Sequence, residues 1–170
     1  MVRIRKAKQE DIARIGEITA VAWAENTLYK LLEDRHGLIG NRGWQERKVD
    51  DMKNFCTAHL DRVFVAVENG LVVGYATFDF NEEDKVGQVC NNAVDPDHRG
   101  KGIGTSLIVR VIDELKTLGA RVLRVTTLAH DLPAQRIYEK LGFKEIARSV
   151  YYTMEVLDRK GEFDEATFLK

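Results

Sequence analysis

The sequence predicts an α/β domain: a mixed, mostly antiparallel central sheet flanked by helices. Three observations carry that reading. Two β-rich runs, "RVFVAVE" at 62–68 and "LVVGYATFDF" at 71–80, are joined by Asn69-Gly70, and the central positions of a type I′ hairpin turn need that pair's tolerance of positive φ. An apolar stripe at Ile103, Leu107, Ile108, Val111, Ile112, Leu115 and Leu118 recurs at steps of three and four, which makes one face of a helix. That helix runs directly into "RVLRVTT" at 121–127, and strand–helix–strand implies a parallel right-handed crossover.

The elements follow in order. "VRIRKAK" at 2–8 alternates and reads as a first strand. Ile12, Ile15, Ile18 and Ala22 have helical spacing, with Glu10 and Asp11 placed to complement the N-terminal dipole. From Trp23 to His59 the pattern is helical, and Gly37, Gly40 and Gly43 break it into two pieces. The hairpin comes next, then the polar turn "NEEDK" and a third strand at 86–94, which makes a meander. After the long helix, closed by Gly119, and the strand at 121–127, a short helix spans Leu132 to Leu141, with Pro133 in its first turn and Gly142 at its end. "FKEIARSVYYTMEVL" reads as a long strand, "DRKGEF" as a turn and "DEATFLK" as a last edge strand. With no repeat, low-complexity tract or linker, residues 1–170 read as a single domain.

Composition excludes several function classes. The 26 basic and 27 acidic side chains leave a net charge of −1, so no long-range pull toward nucleic acid or an anionic membrane surface is expected. No apolar run approaches the roughly 18 residues of a membrane span, and "MVRIRKAKQEDI" lacks the apolar core of a signal peptide. Cys56 and Cys90 show no CxxC spacing and read as thiols in a reducing cytoplasm. His36, His59, His98 and His130 are scattered outside any metal-ligand motif, so no metal is expected.

The stretch "AVDPDHRGKGIGTSL" places a glycine-rich loop at the start of the long helix. A Rossmann fingerprint needs G-x-G-x-x-G in a first βα unit, whereas Gly100, Gly102 and Gly104 are spaced G-x-G-x-G after a meander. A P-loop needs G-x-x-x-x-G-K-[ST], and Lys101 lies inside the glycine run. What remains is Arg99-x-x-Gly102-x-Gly104 opening a helix. The first N–H groups of a helix lack internal partners and carry partial positive charge, and glycines let a pyrophosphate approach them.

This stretch resembles motif A of the GNAT superfamily of acyl-CoA-dependent N-acyltransferases. "LPAQRIYEKLGF" at 132–143 resembles its motif B, and the order of elements is similar along nearly the whole chain. The resemblance implies an N-acetyltransferase with acetyl-CoA as co-substrate, and a V-shaped splay between the third meander strand and the strand at 121–127. It implies main-chain pairing of Ala93 and Val94 with the pantetheine amides, and a pyrophosphate held by the backbone of Arg99, Gly100, Lys101, Gly102, Ile103, Gly104 and Thr105. Ala134 would line the other wall, and Tyr138 matches the general acid. Asp131 stands where the family often has Asn, which replaces an amide donor with a charged acceptor. The N–H of Val94 is the expected oxyanion donor. A homodimer through a terminal strand is a further expectation from the resemblance.

The chemistry needs a neutral amine, which for a primary amine near pKa ~10.4 costs about 4.6 kcal/mol at pH 7. The third meander strand, "VGQVCNNAV", carries no acid to serve as base, so direct attack by a neutral amine with water relays is the expected mechanism. Asp79, Glu82 and Glu83 lie near the neighbouring strand end, and Cys90 offers an alternative nucleophile. Trp23, Tyr29, Trp44 and Asn91 are candidates for the acceptor wall, while Glu25 and Glu33 could attract a cationic amine. The acceptor, a small molecule or a peptide amine, is not identified by any motif. A CoA-binding sensor without turnover is the alternative function.

Overall fold

Alternation along the strands decides the layering. In the computed structural model, which describes residues 1–23 and 27–156, five strands form one sheet in the order β1-β2-β3-β4-β5. They are β1 (Val2–Lys6), β2 (Val63–Glu68), β3 (Leu71–Asn81), β4 (Val86–Val94) and β5 (Val122–Val125). The first three pairings are antiparallel and β4 with β5 is parallel, so the expected mixed sheet is present. The helices are α1 (Ile12–Ala22), α2 (Leu28–His36), α3 (Trp44–Ala58), α4 (Ile103–Thr117) and α5 (Leu132–Lys140).

Val63 and Val65 of β2 pack with Ile15 and Ile18 of α1 and Met52 and Cys56 of α3. Phe64 and Ala66, one residue out of phase, pack with Leu107, Ile108, Val111 and Leu115 of α4 and with Tyr138 of α5. The period-two strand therefore carries two cores, one on each face of the sheet. Asn69 and Gly70 turn β2 into β3 with φ of 51° and 82°, the two positive values the hairpin requires.

Ion pairs tie the first helix and the turn ahead of it to β1 and to the end of β4. Arg5 of β1 donates to both Asp11 oxygens, at 2.6 and 2.9 Å, just ahead of α1. Burial alone would raise the Asp11 pKa, but the Arg5 hydrogen bonds and the Lys8 backbone N–H outweigh it and hold the carboxyl below its usual value. Arg14 of α1 pairs with Asp95 at the end of β4 and donates to the Val72 carbonyl at 3.2 Å.

One expectation fails. Residues 143–156 form no strand, although their β-branched and aromatic content favours one. Ile146 is 95% exposed and Tyr152 90%, so neither joins the core. Strand propensity describes how side chains fit a pleated, half-buried surface, and this segment finds no such surface among the described residues. It passes α2 instead, where His36 Nε2 and Thr153 Oγ1 lie 2.9 Å apart. The run at 121–127 is also shorter than its composition suggests, pairing only over Val122–Val125. The expected turn at 158–163 and last strand at 164–170 fall outside the described residues.

Candidate active site

The site begins where β4 acquires an extra residue. Ala76 of β3 pairs with Asn92 and Phe78 with Val89, so Thr77 alone faces Cys90 and Asn91. This is a β-bulge. Thr77, fully buried, repairs the ladder with its side chain. Its Oγ1 accepts from the Asn91 N–H at 2.9 Å and donates to the Asn91 carbonyl at 3.1 Å. Both main-chain groups of the bulged residue are thus satisfied.

At the same place β4 parts from β5. Their pairing ends at Val89 with Val125, whereas β4 continues to Val94 and the other chain turns away through Thr126, Thr127 and Leu128. The splay expected from the resemblance is present as this divergence. Beyond Val89, Asn91 and Asn92 serve opposite faces of the sheet. Asn91 Oδ1 accepts from Lys48 Nζ of α3 at 2.7 Å, and Asn92 Nδ2 donates to the Tyr138 hydroxyl of α5 at 3.3 Å.

The glycine loop closes the α4 side. Gly100 and Gly102 have φ of 79° and 76°, which the missing Cβ permits, and Gly102 is the N-cap of α4 with no side-chain cap. The first bond back to it comes from Ser106 N–H at 3.0 Å, which leaves the amides of Ile103, Gly104 and Thr105 outside the helical ladder. A Cβ at 100 or 102 would meet nothing within 4 Å, and one at 104 would make an ordinary 3.6 Å contact with Val94. Internal packing therefore does not call for three glycines, and the open side of the turn faces outward. Arg99 donates to the Val94 and Ala22 carbonyls at 3.3 and 3.2 Å. His98 and Lys101 both reach Glu68 Oε2, at 2.7 and 3.2 Å. The His98 hydrogen bond, then that of Lys101, lowers the Glu68 pKa.

Tyr138 is 9% exposed and packs edge-on against Phe143 at a centroid distance of 6.0 Å. Burial raises its phenol pKa, the Asn92 hydrogen bond opposes that rise, and the Asp131 charge adds to it. The phenol is therefore a neutral donor at physiological pH. Asp131 caps α5: one oxygen accepts from Ala134 N–H at 3.2 Å and the other from Thr127 Oγ1 at 3.1 Å. Its carboxylate is thus occupied within the fold. Ala134 packs against the α4-side core beside Tyr138.

On the opposite face lies a cavity of about 360 Å³, lined by Trp23, Thr27, Tyr29, Lys48, Cys90, Asn91, residues 126–128 and Tyr151, among others. Trp23 is aimed by its Nε1–H bond to the Tyr75 hydroxyl at 3.1 Å. Tyr75 in turn meets Thr19 Oγ1 at 2.8 Å, and burial pushes its pKa to about 12. Lys48 Nζ sits 4.6 Å from the Trp23 ring centroid and 5.6 Å from that of Tyr29. Burial lowers the Lys48 pKa.

The structure gathers Trp23, Tyr29 and Asn91 as expected and leaves other candidates aside. Asp79 is paired with Arg62 and does not line the cavity. Trp44 begins α3 and does not line it either, and Glu33 is engaged by Arg47 at 3.4 Å. Glu82 lines a separate depression of about 620 Å³ that shares no residue with this cavity. Burial pushes the Cys90 thiol up to about 11, so it is neutral at pH 7 and a poor nucleophile. Glu25 lies outside the described residues. Two contributors escaped the sequence reading. Thr77 gives no sequence signal, because its role depends on a pairing register. Lys48 has the pattern of a solvated helix charge.

Comparisons with known proteins agree with this geometry. The profile of the Acetyltransferase (GNAT) family matches residues 25–143. The L-amino acid N-acyltransferase MnaT of Escherichia coli (strain K12) is 31% identical over 150 residues, covering 82% of this chain and 78% of that protein. The L-methionine sulfoximine/L-methionine sulfone acetyltransferase of Salmonella typhimurium is 31% identical over 113 residues, 62% of this chain and 66% of that protein. Among solved structures, yncA of Salmonella typhimurium, a putative acetyltransferase with its cofactor acetyl-CoA, superposes with a TM-score of 0.62 at 27% identity. That match covers 84% of this chain and 79% of the other.

Proposed function

Because the chain belongs to the GNAT acetyltransferase family and is an N-acetyltransferase of that type, we propose that it carries an acetyl group from acetyl-CoA to the primary amine of a small molecule, amino acids being the favoured class, by direct attack in a ternary complex. The observation that carries this reading is the divergence of β4 and β5. It lies between the uncapped start of α4 with Tyr138 on one face and an open cavity on the other. The names of the two curated relatives favour amino acids as acceptors.

The residues fit acetyl-CoA. The backbone from Arg99 to Thr105 holds the diphosphate on outward-facing amides, and the positive φ of Gly100 and Gly102 keeps that backbone in place. Of the main-chain groups of Ala93 and Val94, the Val94 N–H alone is left for the acyl-pantetheine arm, because pairing with Tyr75 turns Ala93 toward β3 and Arg99 donates to the Val94 carbonyl; Ala134 forms part of the wall. The thioester supplies the acyl carbon; this chain supplies position and protons.

A bound primary amine must lose its proton, at about 4.6 kcal/mol at pH 7 for an alkylamine of pKa ~10.4 and less for an α-amino group. No carboxylate lines the cavity among the described residues. The proton therefore leaves through water, which the Asn91 and Asn92 amides order without accepting it. The amine nitrogen forms its bond to the acyl carbon, and the N–H of Val94 is the donor for charge developing on the acyl oxygen. As the C–S bond breaks, Tyr138 donates a hydrogen bond to sulfur. Full transfer from a phenol near ~10 to a thiol near ~8.5 runs uphill by about 2 kcal/mol, and the raised Tyr138 pKa steepens that climb. The final proton on sulfur is therefore one that the attacking nitrogen gives up, carried through water.

The test is thiol release from acetyl-CoA across a panel of amines, with CoA affinity measured by calorimetry. Turnover with amino acids, strongly reduced in Tyr138→Phe at unchanged CoA affinity, is expected. CoA binding without release from any amine would instead make the protein a sensor.

A further inference from the structure

The acceptor cavity holds one cation among its described lining residues, Lys48, and nothing in the chemistry above uses it. Its neighbours are differently employed. Arg47 engages Glu33 at 3.4 Å, and Arg42, just ahead of α3, engages Glu46 and Asp50. Lys48 pairs with no described carboxylate. Its Nζ gives one hydrogen bond, to Asn91 Oδ1 at 2.7 Å, and an ammonium has three donors to place.

Burial works against the charged form, and three contacts work the other way. The rings of Trp23 and Tyr29, at 4.6 and 5.6 Å, present faces that attract a cation, and the Asn91 amide oxygen accepts only from it. A positive charge taken partly out of water calls for an anion. The cavity beside it, about 360 Å³, offers none among its described residues and is wide enough for a small molecule. Lys48 also touches the bulged residue of β4, so an anion held there lies next to the place where the sheet opens.

We propose that Lys48 receives the α-carboxylate of the acceptor, making it the residue that selects amino acids over amines of the same shape without a carboxylate. The inference rests on the acceptor reading above. In an α-amino acid one carbon separates carboxylate from amine, so fixing the first aims the second. Trp23 and Asn91 are positioning residues for Lys48: Tyr75 sets the indole, and Thr77 sets the backbone of Asn91.

The test uses the full chain with acetyl-CoA, the twenty common L-amino acids and their α-amides. For the best amino acid, kcat/KM is expected to exceed that of its amide by about 30-fold or more, the scale of a desolvated charge pair. Lys48→Met is expected to bring that ratio to within about threefold by raising KM for the acid rather than lowering kcat, and Lys48→Arg to restore part of it. Calorimetry on CoA-loaded protein gives a second readout: the acid binds, its amide does not, and Lys48→Met abolishes the difference while CoA affinity confirms the fold. The proposal is overturned if wild type handles amides as well as acids, or if no acid in the panel binds. It is also overturned if Lys48→Met lowers kcat for both alike without rescue by Arg, the pattern of a general base. Selective acid binding without thiol release would preserve the role of Lys48 and remove the transferase reading instead.

Discussion

The two halves of β4 are made of the same backbone and do opposite things. From Val86 to Val89 the strand is zipped to β5, and Gly87 sits so tightly that a Cβ would fall 2.8 Å from Leu123 and 2.9 Å from both Leu115 methyls. From Cys90 to Val94 it has left β5; Asn91 and Asn92 turn to Lys48 and Tyr138, while Ala93 and Val94 still pack against the two cores. One extra residue opposite Thr77 separates the two regimes. A sheet can therefore change from scaffold to site within a single pleat, provided another group takes over the hydrogen bonds the ladder loses.

Four substitutions sharpen or break that contrast. Tyr138→Phe acts on the open half and should lower kcat by about 10²-fold, with acetyl-CoA KM changing little. Because burial raises the Tyr138 pKa, deprotonation of this phenol should produce no fall in kcat between pH 7 and about 9, which a pH–rate profile checks. Gly102→Val comes next. Its φ of 76° strains a β-branched residue by about 1–3 kcal/mol, and the new side chain occupies the loop's outward face. CoA affinity should fall about 30-fold or more by calorimetry, with a modest drop in melting temperature.

Thr77→Val attacks the boundary itself. It leaves the Asn91 N–H and C=O without their partner, and urea denaturation should show a loss of about 2 kcal/mol, largely recovered in Thr77→Ser. Gly87→Ala is the smallest change and acts on the zipped half. Overpacking against Leu115 and Leu123 should cost about 1–2 kcal/mol in stability while CoA affinity stays at the wild-type value. If affinity fell as it does in Gly102→Val, the two halves would not be independent.

Much of this was legible in the chain because the signals are local. Asn69-Gly70 announces its turn through backbone sterics, and the stripe from Ile103 to Leu115 announces its buried face. The glycines at 100, 102 and 104 carry the proposed anion site; positive φ, not packing, accounts for the first two. The illegible parts are those that depend on which strand meets which. The bulge at Asn91 exists only once the register with β3 is set, so Thr77 looks like any strand threonine. Lys48 looks like one more charge on a polar helix until Trp23 and Tyr29 close over it. The segment 143–156 carries strand composition, and composition does not supply a partner edge.

Glu68 has a final consequence. It draws in both His98 and Lys101, so the turn ahead of α4 arrives with those two side chains already matched. A ligand gripped there would be held mainly by oriented peptide dipoles rather than by loose charge. Ionic strength screens freely exposed charge far more than it weakens short, directed bonds. Raising potassium chloride should therefore loosen this grip only slightly, as for a mould that fits its cast rather than a magnet that pulls from afar.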